Sequence, residues 1–176
     1  MEMKGCACLD DKDSQDLLGT AANDDARDAL DRMREDINNI SVSDTFIKQE
    51  MNKVRVVCSP PPITPPCRIE ELPPDPLTVT VNMRNLATAE KELQKELDEL
   101  SPIAPALGKR FEQDVQIMDR QLDELDFEVK KLSELTDLTT KRRYDKHAIR
   151  METELIEQLT RRIGMTHFQM INDLPR

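Results

Sequence analysis

The sequence predicts an all-α fold, an elongated coiled-coil or helical-hairpin protein with a disordered N-terminal tail and a proline-rich linker. Three observations support this prediction. Apolar residues recur at alternating intervals of three and four, which on a helix forms one apolar stripe, called a seam below. Charged residues make up 34% of the chain and aromatic residues only 3%, which disfavours a large globular core. Most prolines cluster in residues 60–76, between two helical regions.

The N-terminal part divides into a tail and a helix. Residues 1–23 are polar and acidic without a sustained period, and we predict a disordered acidic tail. Residues 24–58 follow as one heptad helix, with Asp24 as a suitable N-cap. Asp44 is the polar interruption of its seam, which consists of Leu30, Met33, Ile37, Ile40, Ile47, Met51 and Val54.

Residues 59–82 form the predicted linker. Proline fixes φ and removes an amide donor, so the segment is expected to be extended. Residues 77–81 alternate apolar and polar side chains, which predicts either a short strand that joins a partner's sheet or an extended lead into the next helix.

Residues 83–172 form the predicted C-terminal coiled-coil helices. Pro102 and Pro105 place a corner near residues 101–105. The seam slips by one residue after Leu132, and polar side chains follow, which predicts a soft point at residues 136–148. The seam positions are Leu93, Leu97, Leu100, Phe111, Val115, Met118, Leu122, Leu125, Val129, Leu132, Ile149, Ile156, Leu159 and Ile163.

The apolar side chains of these seams must be buried against another protein surface. Leaving the stripe of residues 111–132 in water would forgo about 10–20 kcal/mol. We therefore predict that residues 26–58 and 111–170 are interfaces with other coiled-coil proteins, in homo- or hetero-oligomers of either helix orientation.

The charge pattern limits the choice of partner. The net charge is −10, with −7 in residues 1–50 and +3 in residues 139–176, so nucleic acid is a disfavoured partner. The densest basic cluster is expected either to contact an acidic partner or phosphate, or to complement the acidic helix of residues 112–128. This cluster comprises Lys141, Arg142, Arg143, Lys146 and Arg150.

The cysteines fit no recognised zinc spacing, and we predict unpaired thiols and no metal site. Cys6 and Cys8 are candidates for acylation, whereas Cys58 and Cys67 flank the prolines. No apolar run is long enough for a transmembrane helix, and no signal peptide is evident. A cytoplasmic location is therefore expected, with association with the cytoskeleton or location in the nucleus as alternatives.

Catalytic motifs are missing from the sequence. No phosphate-binding glycine loop, metalloprotease motif or nucleophile elbow occurs, and His147 and His167 lie in helical surroundings without an orienting partner. We predict no enzymatic activity and no cofactor. Ser59, Thr64 and Ser101 each precede a proline and are minimal phosphorylation sites.

The function expected from these features is that of a non-enzymatic coiled-coil subunit or adaptor of a multi-protein complex, of the cytoskeletal, kinetochore or vesicle-trafficking kind. Two alternatives remain. A self-contained helical bundle that regulates an enzyme would satisfy its seams internally. A peripheral membrane adaptor would use Cys6, Cys8 or the basic cluster, and membrane contact stays open.

Overall fold

The computed structural model describes the backbone of residues 11–175 and the side chains of residues 21–175. This part of the chain is mostly helical with one small sheet, which confirms the all-α class. Its elements in order are α1 (Asp11–Met51), β1 (Val54–Cys58), β2 (Cys67–Glu71), α2 (Pro76–Leu100), a 3-10 turn (Ala104–Leu107), α3 (Lys109–Leu135) and α4 (Lys146–Asp173).

The four helices pack as an antiparallel bundle. Both α1 and α3 pack against α2 and α4. His167 lies 2.7 Å from the carbonyl oxygen of Leu30, and Arg150 lies 3.1 Å from that of Met51, so α1 and α4 run in opposite directions. Successive helices reverse direction, α1 to α2 through the long segment 52–75 that carries β1 and β2, and the others through the shorter connections 101–108 and 136–145, which gives up-down-up-down order.

The seams of all four helices meet in one core. Phe111 at the start of α3, Leu122 at its middle and Leu132 near its end are fully buried. Seam positions of α1, α2 and α4 close the core from the other sides. The alternating spacing of three and four therefore marks the face that each helix turns inward.

Helix α1 begins earlier than predicted. The predicted tail of residues 1–23 includes residues 1–10, which lie outside the described residues, but the backbone is helical from Asp11. Ala22 is buried, and α1 contacts the 3-10 turn. Once a helix is packed, extending it fixes one residue for each added hydrogen bond, so it continues through residues of weak pattern.

Helix α1 also ends earlier than residue 58. It stops at Met51, and residues 54–58 form β1, which pairs antiparallel with β2. The heptad phase continues through Val54 and Cys58, but a run with three valines favours a strand once a partner is available. The predicted extended linker is thus partly a β-hairpin, and its prolines occupy the turn at 59–66 and the exit at 73–76.

A disulfide closes this hairpin. Cys58 and Cys67 face each other in the register and are bonded, with their Cα atoms 4.0 Å apart. This corrects the prediction of unpaired thiols for these two residues. Cys6 and Cys8 lie outside the described residues.

Helix α2 begins at Pro76, so residues 77–81 are neither a strand nor an extended lead. The Asp75 side chain accepts hydrogen bonds from the amide of Leu77 and the hydroxyl of Thr78, at 3.2 and 2.7 Å. Proline suits the first helical position because its missing amide would have no partner there. Val79 is fully buried, so tertiary packing outweighs the β-propensity of this segment.

The two remaining connections lie at the predicted breaks. Residues 101–108 turn the chain between α2 and α3, and Gly108 has φ of 102°, a conformation that only glycine adopts easily. Residues 136–145 join α3 to α4, so the predicted soft point within a coiled coil is instead a reversal of the chain. Asp145 caps α4 by accepting from the amide of Ala148 at 3.1 Å.

Candidate functional site

The predicted interface residues lie inside the bundle. Except for Ile37, which is half-buried, and Val54, which is half exposed, each is buried by the chain's own helices. This corrects the assignment of the seams to contacts with other chains. The apolar area that seemed to need a partner is covered intramolecularly, because the three connections fold the four helices side by side and their seams meet in one core.

The end of the bundle that carries the hairpin combines exposed apolar side chains with strand edges that no described backbone group pairs. We call it the hairpin end; it comprises residues 53–76 and the connection 136–145. Glu50 anchors it by accepting from the amide of Asp75 at 2.8 Å. Lys146 donates to the carbonyl of Leu72 at 3.0 Å. These bonds fix the base of the hairpin to α1 and α4.

The hairpin has one polar and one apolar face. On the polar face, Glu70 lies between Arg55 and Arg68, with its oxygens 2.9 and 2.8 Å from their nitrogens. These two guanidinium groups, Arg55 first, lower the pKa of Glu70. On the opposite face, Val56 and Ile69 form a cross-strand pair that is 66% and 71% exposed. An apolar face this exposed is unusual for a strand in water.

Both edges of the hairpin are open. The bond from the amide of Leu72 to the carbonyl of Lys53 (2.9 Å) and that from Ser59 to Pro66 (2.6 Å) set the register. In an antiparallel pair the hydrogen-bonded positions alternate, so the backbone groups of Val56 and Ile69 point outward. No backbone hydrogen bond joins them to another element in the described part of the chain.

The basic cluster belongs to the same end, and it does not pair with residues 112–128. Lys141 donates to the carbonyl of Glu134 at 3.2 Å, and Arg150 donates to that of Met51. Arg142 and Arg143 are exposed and have no carboxylate within ion-pair distance among the described side chains. Intramolecular pairing with the acidic helix is therefore not the role of this cluster.

The predicted phosphorylation sites are also placed by the structure. Ser59 and Thr64 lie in the turn of the hairpin, with Thr64 exposed, and Ser101 is exposed where α2 ends. Their modification stays a prediction.

Several buried carboxyl groups lie in the helix interfaces. Burial, followed by the neighbouring Glu157, raises the pKa of Asp44 to about 8. Burial and the adjacent carboxyl of Asp173 raise the pKa of Asp114 to about 7, and burial with Glu128 does the same for Glu152. These groups line packed helix faces rather than a cleft, so they bear on stability rather than on catalysis.

His167 occupies the bundle interior, in the interface between α4 and α1. Its Nε2 donates to the carbonyl of Leu30, and burial lowers the pKa of the ring. The neutral ring therefore links α4 to α1. No group of three or more potential metal ligands occurs in residues 21–175.

No family model matches the chain, and comparisons with curated proteins and with solved structures find no similar protein. Of the helices in the described part of the chain, none is long and apolar enough to cross a membrane.

Sequence reasoning missed the hairpin and its faces. The signal was present, because Val54, Val56 and Val57 precede the prolines, Ile69 follows them, and a cysteine flanks them on each side. Reading the first segment as a continuation of the helix hid this symmetry.

Proposed function

We propose that the protein is a non-enzymatic adaptor or complex subunit whose helical bundle is self-contained and whose hairpin binds a partner protein. The observation that carries this proposal is the apolar hairpin face beside two strand edges that no backbone group of residues 11–175 pairs. The heptad packing of the helices provides a rigid support, in the manner of a coiled coil, and the hairpin provides the contact surface.

The partner of this proposal is an extended segment that adds to the hairpin as a third strand. A two-stranded hairpin is only marginally stable by itself, and a third strand would pair the open backbone groups. The same segment would cover Val56 and Ile69. Burying two such side chains is worth about 3–5 kcal/mol before the cost of association.

The proposal still includes assembly with other helical proteins. A strand contact requires only one extended segment of the partner and leaves the rest of the partner's fold open. Membership of a cytoskeletal, kinetochore or vesicle-trafficking complex is the setting that the sequence favours. The self-contained bundle also agrees with the alternative, regulation of an enzyme, in which the hairpin would contact that enzyme.

Photo-crosslinking tests the proposal directly. A benzophenone amino acid is placed at Ile69 of the full-length chain in its native cells, and the control carries it at Met165, which is 72% exposed on α4. We expect one protein to be captured from position 69 and not from position 165. Mass spectrometry of the crosslinked peptide should identify an extended segment.

Binding of the purified partner then decides whether the capture is specific. The double variant Val56→Thr/Ile69→Thr keeps β-branched residues but removes apolar area, and we expect at least a tenfold weaker Kd. Met165→Gln should leave Kd unchanged. Equal capture from both positions, or equal affinity of both variants, would refute the role of the hairpin.

A further inference from the structure

A cleft of about 620 Å³ lies between α2 and the connection of residues 136–145. Pro76, Met83 and Ala87 line its α2 side, and Leu138 and Tyr144 line the other side. A second groove shares Pro76, Leu138 and Tyr144 and continues toward the base of the hairpin. A cleft of this volume is in the range that accommodates the side chains of a bound ligand.

Three guanidinium groups surround this continuous surface. Arg84 lines the cleft, and Arg142 and Arg143 line the adjoining groove. No described carboxylate lies within ion-pair distance of any of the three. By contrast, the nearby Lys146 binds the carbonyl of Leu72 and pairs with Glu71 at 3.6 Å.

The acidic residues of the same surface are engaged in local structure. Asp137 accepts from the amide of Thr139 at 2.9 Å, and this bond lowers its pKa. Asp145 caps α4 through the amide of Ala148. Both carboxylates keep their negative charge, but neither forms an ion pair with the three arginines, whose guanidinium groups stay available for bidentate binding.

The interior of the cleft is suited to an apolar group. Met83 is buried and Leu138 is half-buried, so the surface offers hydrocarbon. The hydroxyl oxygen of Tyr144 is buried and has no hydrogen-bond partner. Because this oxygen is inaccessible to solvent, a bound ligand would not reach it, and Tyr144 serves only as a lining residue.

We infer that this cleft binds an acidic peptide segment of a partner protein, with one large apolar side chain seated between Met83 and Leu138. The chain as a whole carries a net charge of −10 and repels acidic segments, so three arginines that gather around one cleft without an ion pair to a described carboxylate favour binding there. Guanidinium groups bind carboxylates in bidentate geometry. The inference uses other residues than the hairpin face and stands independently of it.

A peptide explains the surface better than phosphate or a membrane does. A phosphate ion would make no apolar contacts in the cleft. A membrane would require positive charge spread over a broad face, whereas most of this protein is acidic. An acidic peptide with an apolar centre uses both features at once.

The test uses the full chain labelled with ¹⁵N and a synthetic peptide of nine residues, in which glutamates flank a central leucine. Titration followed by NMR should shift amide resonances around residues 84, 138 and 144. A peptide with serine at the centre should bind at least fivefold more weakly. Raising the salt concentration should weaken the binding of both peptides.

Matched charge variants separate a specific site from a general charge effect. The triple variant Arg84→Gln/Arg142→Gln/Arg143→Gln should weaken the peptide Kd at least tenfold. A control with the same change in charge, Arg27→Gln/Arg110→Gln/Arg120→Gln, should stay within twofold of the unmodified protein. The hairpin variant Val56→Thr/Ile69→Thr should also bind normally, so failure of one proposal is distinguishable from failure of the other.

Three results would overturn the inference. The first is the absence of a specific site, seen either as equal weakening by the two arginine variants or as no resonance shift at millimolar peptide. The second is saturable binding of inorganic phosphate at the same residues with equal affinity. The third is binding to vesicles of phosphatidylserine and phosphatidylcholine that the acidic peptide does not displace.

Discussion

Asp44 provides the sharpest test of how this bundle is packed. It lies in the α1 seam with 2% of its surface exposed, and its Oδ1 has no hydrogen-bond partner among the described side chains. Burial, then Glu157, raises its pKa from 3.8 to about 8, and the nearby Lys48 offsets only part of this effect. The folded protein therefore holds a protonated carboxyl group at neutral pH, whereas the unfolded chain ionises.

The sign of the pH dependence follows from this difference. The contribution of Asp44 to stability is fully present below the unfolded pKa of 3.8 and is lost as the pH rises toward the folded pKa of about 8. Each pH unit between these values costs about 1.4 kcal/mol of unfolding free energy. Raising the pH from 5.5 to 7.5 should thus remove about 2–3 kcal/mol through this residue alone.

The assay compares unfolding in urea at pH 5.5, 6.5 and 7.5, followed by circular dichroism. Asp44→Asn cannot ionise, so its unfolding free energy relative to the unmodified protein should increase by about 1 kcal/mol or more per pH unit. Asp119→Asn, on the exposed surface of α3, controls for the loss of one charge. Parallel pH profiles for Asp44→Asn and the unmodified protein would refute the buried, protonated state of Asp44.

Three further predictions concern other parts of the fold. Leu122→Ala should lower the unfolding free energy by about 2–5 kcal/mol, because Leu122 is fully buried in the core; a loss below 1 kcal/mol in urea would contradict this burial. Asp75→Ala should cost about 1 kcal/mol through the lost cap of α2, and Asp75→Asn should restore most of it; equal stability of both variants would argue against the cap. Replacing Cys58 and Cys67 by serine should lower the local stability of the hairpin by about 2–3 kcal/mol, measured as faster amide exchange in residues 54–71. The melting of the helical bundle should change little. An equal loss of stability in the hairpin and the bundle would be inconsistent with a separately unfolding hairpin.

The helical core could be predicted from the sequence because its signal is local. In α3, seven residues from Phe111 to Leu132 step by four and three without a miss, and all seven are buried. The spacing does not tell which helix covers this stripe, because a helix of the same chain and a helix of another chain would bury the same apolar side chains. The short connection at residues 101–108 was the available clue to an intramolecular partner.

The hairpin and the cleft depend on contacts between distant segments. Val56 pairs with Ile69, which lies thirteen residues later in the chain. The β-propensity of Val56 favours a strand, but the heptad spacing of its neighbours also fits a continued helix. Arg84 and Tyr144 lie sixty residues apart and meet only when α2 packs beside the connection between α3 and α4. At the start of α2, the cap formed by Asp75 was a local signal that the alternating pattern of residues 77–81 obscured.

The central claim is that the seams of this chain are covered by its own helices. The most direct measurement is the mass of the purified chain by sedimentation equilibrium over a hundredfold range of concentration, with helix content recorded in parallel. We predict a single species of 20.2 kDa whose helix content does not change on dilution. A dimer or larger oligomer that dissociates with loss of helix would show that the seams are covered by other chains, and would contradict the account.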